Sequence, residues 1–362
     1  MPLDSWSKNT AICGRTVDDM GTIVYPITVG NERRKMAHEA PGKHYREGIS
    51  LVELFRMFPN DATAEAWFEK MRWPHGPACP HCGSIRVLSG AKHATMPYRC
   101  RERGCRKRFS LKTGTVMEAS NIGYQKWAIA IYLALTSLKS VSSMKLHRDL
   151  GVTQKSAWHM VHRLRRAFAT NGGPFTGPVE VDETYMGGKR KNMSNAKRKE
   201  MEGTGRGTVG KTAVVGMRDR ATNQVRAKVI DRTDKPTLHG FVTAHTAPGA
   251  TVYHDDALVY ETLPFAHEAV RHSVSEYVRG MAHTNGSESF WAALERAHKG
   301  TFHKMSPKHL DRYVQEFAGK HNIRNADTPD QMRSLVERMD GKRLKYTDLI
   351  KNNGLDSGAR AC

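Results

Sequence analysis

The spacing of apolar and polar positions changes period along the chain, and those changes divide it. Residues 1–35 show no sustained period and end in the basic cluster Asn31-Glu-Arg-Arg-Lys35, so they read as an unplaced N-terminal extension. Met36 opens a more regular stretch and is a candidate start. Within 36–73, Gly48-Ile-Ser-Leu-Val-Glu-Leu-Phe-Arg-Met-Phe58 and Asp61–Arg72 carry apolar residues at helical spacing, with Asp61 predicted to cap the second helix. From Tyr124, the residues Trp127, Ile131, Leu135 and Leu138 recur at the helical period. Ser142 is placed to start a short helix through Met144, Leu146 and Leu150. Gly151-Val152 then makes a turn, and Thr153 caps a third helix that runs through Phe168.

Asn171-Gly-Gly-Pro-Phe-Thr-Gly-Pro178 is a linker by composition, and beyond it the pattern becomes β-rich. Val179–Tyr185 alternates, Thr212–Met217 and Gln224–Ile230 are β-branched runs, and Ala250–Tyr253 is a short apolar strand. Lys235–Ala244 reads as a helix between the third and fourth strands. After Asp255 come a helical stretch, a strand near Ala269–His272 and a long helix from about Ser287. The predicted order βββαβαβα over 176–325 is the ribonuclease-H-like arrangement, an α/β fold. The interval Gly187–Lys211 interrupts it with glycines and basic residues, Lys189, Arg190 and Lys191 among them, and reads as a loop that orders on nucleic acid. Residues 326–362 are left as a C-terminal tail.

The cysteines add a second unit, over 74–115. Cys79-Pro-His-Cys82 and Cys100-Arg-Glu-Arg-Gly-Cys105 are two tight pairs separated by a hairpin's length of chain, the ligand pattern of a tetrahedral Zn²⁺. A pair of disulfides is the alternative, and nothing else in the sequence suggests export. The other two cysteines, Cys13 and Cys362, are isolated and read as free thiols of a reducing compartment. Between Gly83 and Thr115 the ribbon carries Arg86, Lys92, Arg99, Arg101, Arg103, Arg106, Lys107, Arg108 and Lys112 against Glu102 alone. The whole chain is basic: Lys and Arg total 57 and Asp and Glu 36 over 362 residues, a formal +21. That excess favours a polyanionic partner, with phosphate backbones the commonest. No run approaches the ~20 apolar residues of a membrane span. The opening Met-Pro-Leu-Asp-Ser-Trp lacks the order of a signal peptide, so the chain is expected to be soluble and intracellular. Beside the ribbon, the helix–turn–helix spacing over 120–170 suggests a DNA-reading element, with an ordinary helical hairpin as the alternative. Its last helix carries Gln154, Lys155, Ser156, His159, His162, Arg163, Arg165 and Arg166, chemistry suited to a major groove.

Catalysis at phosphorus needs an activated oxygen nucleophile and a stabilised pentacoordinate centre, and two Mg²⁺ (or Mn²⁺) ions held by a few carboxylates supply both. Asp182 sits mid-strand in Val179-Glu-Val-Asp-Glu-Thr-Tyr185, facing with Glu180 and Thr184, where an unpaired charge would be costly. Asp255, at the end of the fourth strand with Asp256 beside it, is the second candidate ligand. For the third, His283-Thr-Asn-Gly-Ser-Glu-Ser-Phe-Trp291 offers Asn285 and Glu288 on one face of a helix. The other reading makes Asn285 a helix cap and Glu288 a partner of the helix dipole. Trp291, Phe290 and Leu294 read as core, and His254 as a structural histidine beside Asp255.

Taken together, Cys79-Pro-His-Cys-Gly83, Phe109-Ser-Leu-Lys-Thr-Gly-Thr-Val116, Val179–Lys189, Tyr277-Val-Arg-Gly280, His283–Trp291 and Ser306-Pro-Lys-His-Leu310 resemble the bacterial insertion-sequence transposases of the ISXO-like group. The resemblance runs from about Met36 into the 340s. It implies a zinc ribbon joined to a DDE-type ribonuclease-H-like domain, with Asp182 and Asp255 as the first two carboxylates and Asn285 or Glu288 as the third. It also implies binding of terminal inverted repeats on double-stranded DNA, cleavage and strand transfer, and a homodimer or higher oligomer on DNA. Many relatives place a Lys seven residues after that Glu, whereas this chain has Glu295, with Arg296 beside it. Two rivals remain at this point: a catalytically inactive, transposase-derived DNA-binding regulator, and a ribonuclease-H-like nuclease without strand transfer.

Overall fold

A computed structural model describes residues 48–169, 172–188, 193–202, 210–255, 258–270 and 284–357, together with the short antiparallel strands β1 (Thr16–Val17) and β2 (Ile23–Val24). The chain forms two compact units, Met1–His44 and Tyr45–Cys362. The elements from Leu51 onward belong to Tyr45–Cys362. Lys189, Arg190, Lys191, Asp256, residues 277–280 and His283 lie outside the described residues.

Helices α1 (Leu51–Met57) and α2 (Asp61–Arg72) lead into the ribbon, whose strands β3 (Val87–Leu88), β4 (Tyr98–Cys100) and β5 (Arg108–Phe109) form an antiparallel sheet in that order. Three helices follow: α3 (Tyr124–Thr136), α4 (Ser143–Leu150) and α5 (Gln154–Phe168). Ser142 and Thr153 cap α4 and α5 as the sequence predicts, accepting from the N–H groups of Lys145 and Ser156. Gly151 ends α4 at φ 58°, a left-handed conformation that favours glycine. Leu138 falls beyond the end of α3 and is exposed. Asn60, not Asp61, caps α2. Asp61 instead accepts the Gln125 N–H at 2.9 Å and so caps α3, which has no side-chain cap of its own. A Cβ at Gly123 would lie 2.3 Å from that Asp61 oxygen, so the bare glycine is what lets the carboxylate reach.

The part of the unit from Val179 onward is an α/β layer structure. Strands β6 (Val179–Met186), β7 (Thr212–Asp219) and β8 (Val225–Ile230) form an antiparallel meander. Helix α6 (Asn195–Glu200) lies between the first two. Helix α7 (Lys235–His245) crosses over to β9 (Val252–Asp255), and β10 (His267–Val270) completes the sheet. The spatial order is β10-β9-β6-β7-β8, with β10, β9 and β6 parallel. This is the ribonuclease-H-like order. Helices α8 (Asn285–Ala297) and α9 (Pro307–Ile323) cover one face, packing on Met186, Val214, Val225 and Ala227. Helix α7 covers the other, against Val179, Val181, Val215 and Met217.

A free sheet edge exposes unpaired backbone groups. Here α9 closes the β8 edge with side chains in place of a strand. Asn322 bonds both the N–H and the C=O of Val225, Gln315 donates to Ala227 O at 2.9 Å, and Asp311 accepts from Val229 N–H at 3.3 Å. The segment beyond residue 326 is part of the core. Helix α10 (Thr328–Glu337) buries Met332, Leu335 and Val336 in the same apolar cluster as Trp127, Leu164 and Phe168, and a short helix α11 (Tyr346–Ile350) follows.

Candidate active site and metal centre

Strand alternation sends successive β6 side chains to opposite faces. Val179 and Val181 pack toward α7, whereas Glu180 and Asp182 both bond to α8. Asp182 is held at both oxygens: the backbone N–H of Glu183 donates to Oδ1 at 2.8 Å, and the indole N–H of Trp291 donates to Oδ2 at 3.0 Å. The residue paired with Asp182 on β7 is Gly216, where a Cβ would lie 2.5 Å from the Trp291 ring. The missing side chain makes the room through which the indole reaches the carboxylate.

Asp255 closes β9. It follows Asp182 by 73 residues, the same offset at which β9 pairs with β6, Val252 with Val179 and Tyr253 with Glu180. Adjacent strands lie about 4.8 Å apart, so the two aspartates stand at one level on neighbouring parallel strands. The Asp182 carboxyl is pushed up to about 7, first by burial, then by the negative charge of Asp255, with Glu288 adding to it. Glu288 and Asn285 are both exposed on the first turn of α8, and Glu288 acts electrostatically on Asp182. Thr284 takes the N-cap position of that helix, without a side-chain bond, so Asn285 does not cap it.

Glu180 does that work from β6. Its Oε2 accepts the Ser287 N–H at 3.0 Å, while Oε1 accepts from Arg220 at 2.8 Å and Arg218 at 3.2 Å. The carboxylate is fully buried, so both arginines and the helix N-terminus together balance its charge. A Cβ at Gly286 would fall 2.6 Å from Glu180 Oε2 and 1.6 Å from Arg218 Nη1, so this helix turn also needs a glycine. On the opposite face of the sheet, Tyr260 donates its hydroxyl to Glu183, whose carboxyl is pushed up to about 8 by burial and by Asp182 and Asp255. His254 is buried on that side, its ring 4.9 Å from Tyr260 and Nε2 3.1 Å from His267 Nδ1, a structural placement.

The four ribbon cysteines converge, with every sulfur within 4.8 Å of every other. Cys79 Sγ lies 3.8 Å from Cys105 Sγ, and Cys82 Sγ lies 3.6 Å from Cys100 Sγ. A tetrahedron with Zn–S bonds of about 2.3 Å has edges of about 3.8 Å, so the donor set and its size fit that ion. The two knuckles are alike. The residue after Cys82 is Gly83 at φ 75°, and the residue after Cys105 is Arg106 at φ 49°.

Residues 174–322 match the ISXO2-like transposase domain, and residues 59–108 match the transposase zinc-ribbon domain. The chain carries the domains of an ISXO2-like transposase. A protein of Halobacterium salinarum, described as an uncharacterized protein in transposable element ISH50, is 26% identical over 292 residues, covering 78% of this chain and 98% of that one. A chain from a cryoEM structure of the simian T-cell lymphotropic virus intasome in complex with the PP2A regulatory subunit B56 gamma is 13% identical, with a TM-score of 0.25, over 51% of this chain and 66% of that one. At that score the fold assignment rests on the transposase match and the strand order.

The basic residues expected at a nucleic-acid face divide into two groups. Arg101, Arg106, Lys107 and Arg108 are exposed on the second knuckle and β5. Gln154 and Lys155 are exposed on the first turn of α5, with the Lys155 amine 4.5 Å from the Tyr346 ring centre, and Arg296 is exposed on α8. His159 and Arg163 require correction. Arg163 is buried and donates to His159 Nε2 at 3.1 Å and to the Leu344 carbonyl at 3.3 Å, and His159 Nε2 lies 3.0 Å from the same carbonyl. The C-terminal segment holds both side chains, so they are not presented to a groove. His162 and Arg165 are buried too, and Arg165 pairs with Glu316 of α9 at 2.9 Å. Lys112, counted with the ribbon's positive charge, turns inward to the carbonyls of Ser120 and Ile122. Sequence reasoning missed the parts played by Glu180, Gly216 and Gly286, and it placed Trp291 in the core without its polar contact. The available signal was periodic: Glu180 shares the Asp182 face, and Trp291 follows Glu288 by one helical turn.

Proposed function

We propose that this chain is a DNA transposase that binds the terminal inverted repeats of an insertion sequence and catalyses metal-dependent strand cleavage and strand transfer. The observation that carries the reading is the meeting of Asp182 and Asp255 at one level of adjacent parallel strands, with the charge of Glu288 acting on Asp182 from α8. Crowded carboxylate oxygens suit a hard divalent cation, and the upward push on Asp182 is what a bound positive charge would relieve. Asp182, Asp255 and Glu288, with Asn285 as a neutral carbonyl donor, would hold two Mg²⁺ or Mn²⁺ ions. When bound, these supply activation of the oxygen nucleophile and neutralisation of charge at phosphorus.

The protein groups orient and hold. The Glu183 and Trp291 N–H groups fix the Asp182 carboxylate, and Glu180 fixes the helix that carries Glu288. In cleavage, the oxygen of water bonds to phosphorus as the bond to the 3′ oxygen breaks. In strand transfer, the freed 3′-OH attacks a target phosphorus in line and displaces its bridging oxygen. The ribbon, stapled by Zn²⁺ on Cys79, Cys82, Cys100 and Cys105, and the first turn of α5 would contact the element ends, with Arg and Lys on phosphates and Gln154 on base edges. Joining two ends together calls for a dimer or higher assembly on DNA. Such a substrate places the protein with the bacterial nucleoid. No helix among the described residues is long and apolar enough to cross a membrane.

The test is an assay with end-bearing DNA, Mg²⁺ and a target plasmid. Joined products are expected from the wild type. Asp182→Ala and Asp255→Ala should bind DNA and leave it intact. Cleavage without joining would identify a nuclease. The regulator reading rests on Glu295, which pairs with Lys299 at 2.7 Å in place of a basic residue, and binding without cleavage would favour it.

A further inference from the structure

Trp291 is buried at 6% exposure among apolar neighbours, yet its one polar atom is aimed at the Asp182 carboxylate across a strand position that has no side chain. We infer that Trp291 is a positioning residue for the metal ligand Asp182 and that Gly216 is the gap that admits it; this rests on the metal-site reading above. Three observations converge. Each Asp182 oxygen accepts one N–H, from Glu183 to Oδ1 and from Trp291 to Oδ2, so the carboxylate plane is set while each oxygen keeps a lone pair for a cation. The Trp291 ring packs against Phe290 and occupies the room left at Gly216, passing 2.5 Å from the point a Cβ there would take. The helix that carries it is itself locked to β6 two residues away, where Glu180 accepts the Ser287 N–H.

Strand and helix are thereby pinned at alternate residues of β6, positions 180 and 182, on the face from which Glu288 acts. An ordinary core tryptophan would need none of this, since leucine or phenylalanine fills such a space without requiring a donor. Groups that orient a metal ligand from behind raise affinity by holding it in its bound geometry before the ion arrives, and their loss costs about 10- to 100-fold in metal affinity.

The test is calorimetric titration of full-length, metal-free protein with Mn²⁺, with thermal midpoints measured alongside. Trp291→Phe keeps the ring and removes the N–H; it should weaken Mn²⁺ binding about tenfold or more while end-DNA binding is unchanged. Gly216→Ala leaves the indole chemically intact and displaces it, so it should weaken Mn²⁺ binding in the same direction. It also serves as the second variant should Trp291→Phe fail to fold. Unchanged Mn²⁺ affinity in Trp291→Phe, or a lowered midpoint with no change in affinity, would overturn the positioning role. Asp182→Ala separates the two levels of the claim. If it binds Mn²⁺ as the wild type does, the metal site itself is misassigned and both readings fall.

Discussion

Removing the charge of Asp182 should stabilise the metal-free protein, although the residue sits at the heart of the site. Its carboxyl is raised from 3.8 to about 7, with burial the first cause and Asp255 the second. A folded value above the unfolded one means that the folded state binds more protons across that window. Stability therefore falls as pH rises from about 4 to 7 and is flat above it. At about 1.4 kcal/mol per unit, the ionised group opposes folding by about 4 kcal/mol at pH 8 and by less than 2 kcal/mol at pH 5. Asp182→Asn relieves this, but its amide turns a donor toward either the Glu183 or the Trp291 N–H, which costs about 1–3 kcal/mol. The net gain at pH 8 should be about 1–3 kcal/mol, or a few degrees in thermal midpoint, and should vanish near pH 5. Millimolar Mn²⁺ should invert the order at pH 8, raising the wild type and not the variant. Calorimetric scans at the two pH values, with and without Mn²⁺, decide it. A variant destabilised equally at pH 5 and pH 8, or Mn²⁺ stabilising both proteins alike, would refute the reasoning.

Three further expectations follow from the same contacts. Purified protein should carry one zinc per chain by atomic absorption, and Cys82→Ser should lose that zinc together with end-DNA binding while the ribonuclease-H-like half stays folded by proteolysis. Arg165→Met should lower stability by about 3–5 kcal/mol, because the buried Glu316 would lose its guanidinium partner and keep Ser140 and Lys320 as neighbours; the double variant Arg165→Met, Glu316→Leu should recover most of the loss in denaturant titration. On α5, Lys155→Ala should weaken DNA binding and leave the thermal midpoint unchanged, whereas Arg163→Ala should lower the midpoint, a contrast read by fluorescence anisotropy beside thermal scans.

What the sequence discloses and what it hides separate along physical lines. Alternation located β6, and β-branched or apolar runs located β7, β8 and β9, because a buried strand face writes itself into composition; the last strand, expected near Ala269–His272, is described at His267–Val270. Local caps at Ser142 and Thr153 were legible for the same reason: donor and acceptor lie three residues apart. Caps supplied from afar were not. Asp61 serves α3 and Glu180 serves α8, and neither partner is near in sequence. The basic face of α5 was misread because Arg163 and Arg165 look alike whether they meet phosphate or a buried acceptor. Only the Leu344 carbonyl and Glu316 decide between the two. The C-terminal segment was legible in principle, since Met332, Leu335, Val336 and Met339 repeat at helical spacing and are all buried. The aspartate pair was legible as a candidate because Asp182 interrupts an apolar strand and Asp255 ends another, whereas Gly216 offers no sequence signal that a tryptophan must pass over it.

The central claim is that Asp182, Asp255 and α8 surround divalent ions on one face of the sheet. Crystals soaked in Mn²⁺ and measured at the manganese absorption edge test it directly. The account predicts two anomalous peaks about 4 Å apart, both contacting Asp182 or Asp255 and at least one contacting Glu288. Peaks on the Glu183–His254 side of the sheet, or none near Asp182, would contradict it.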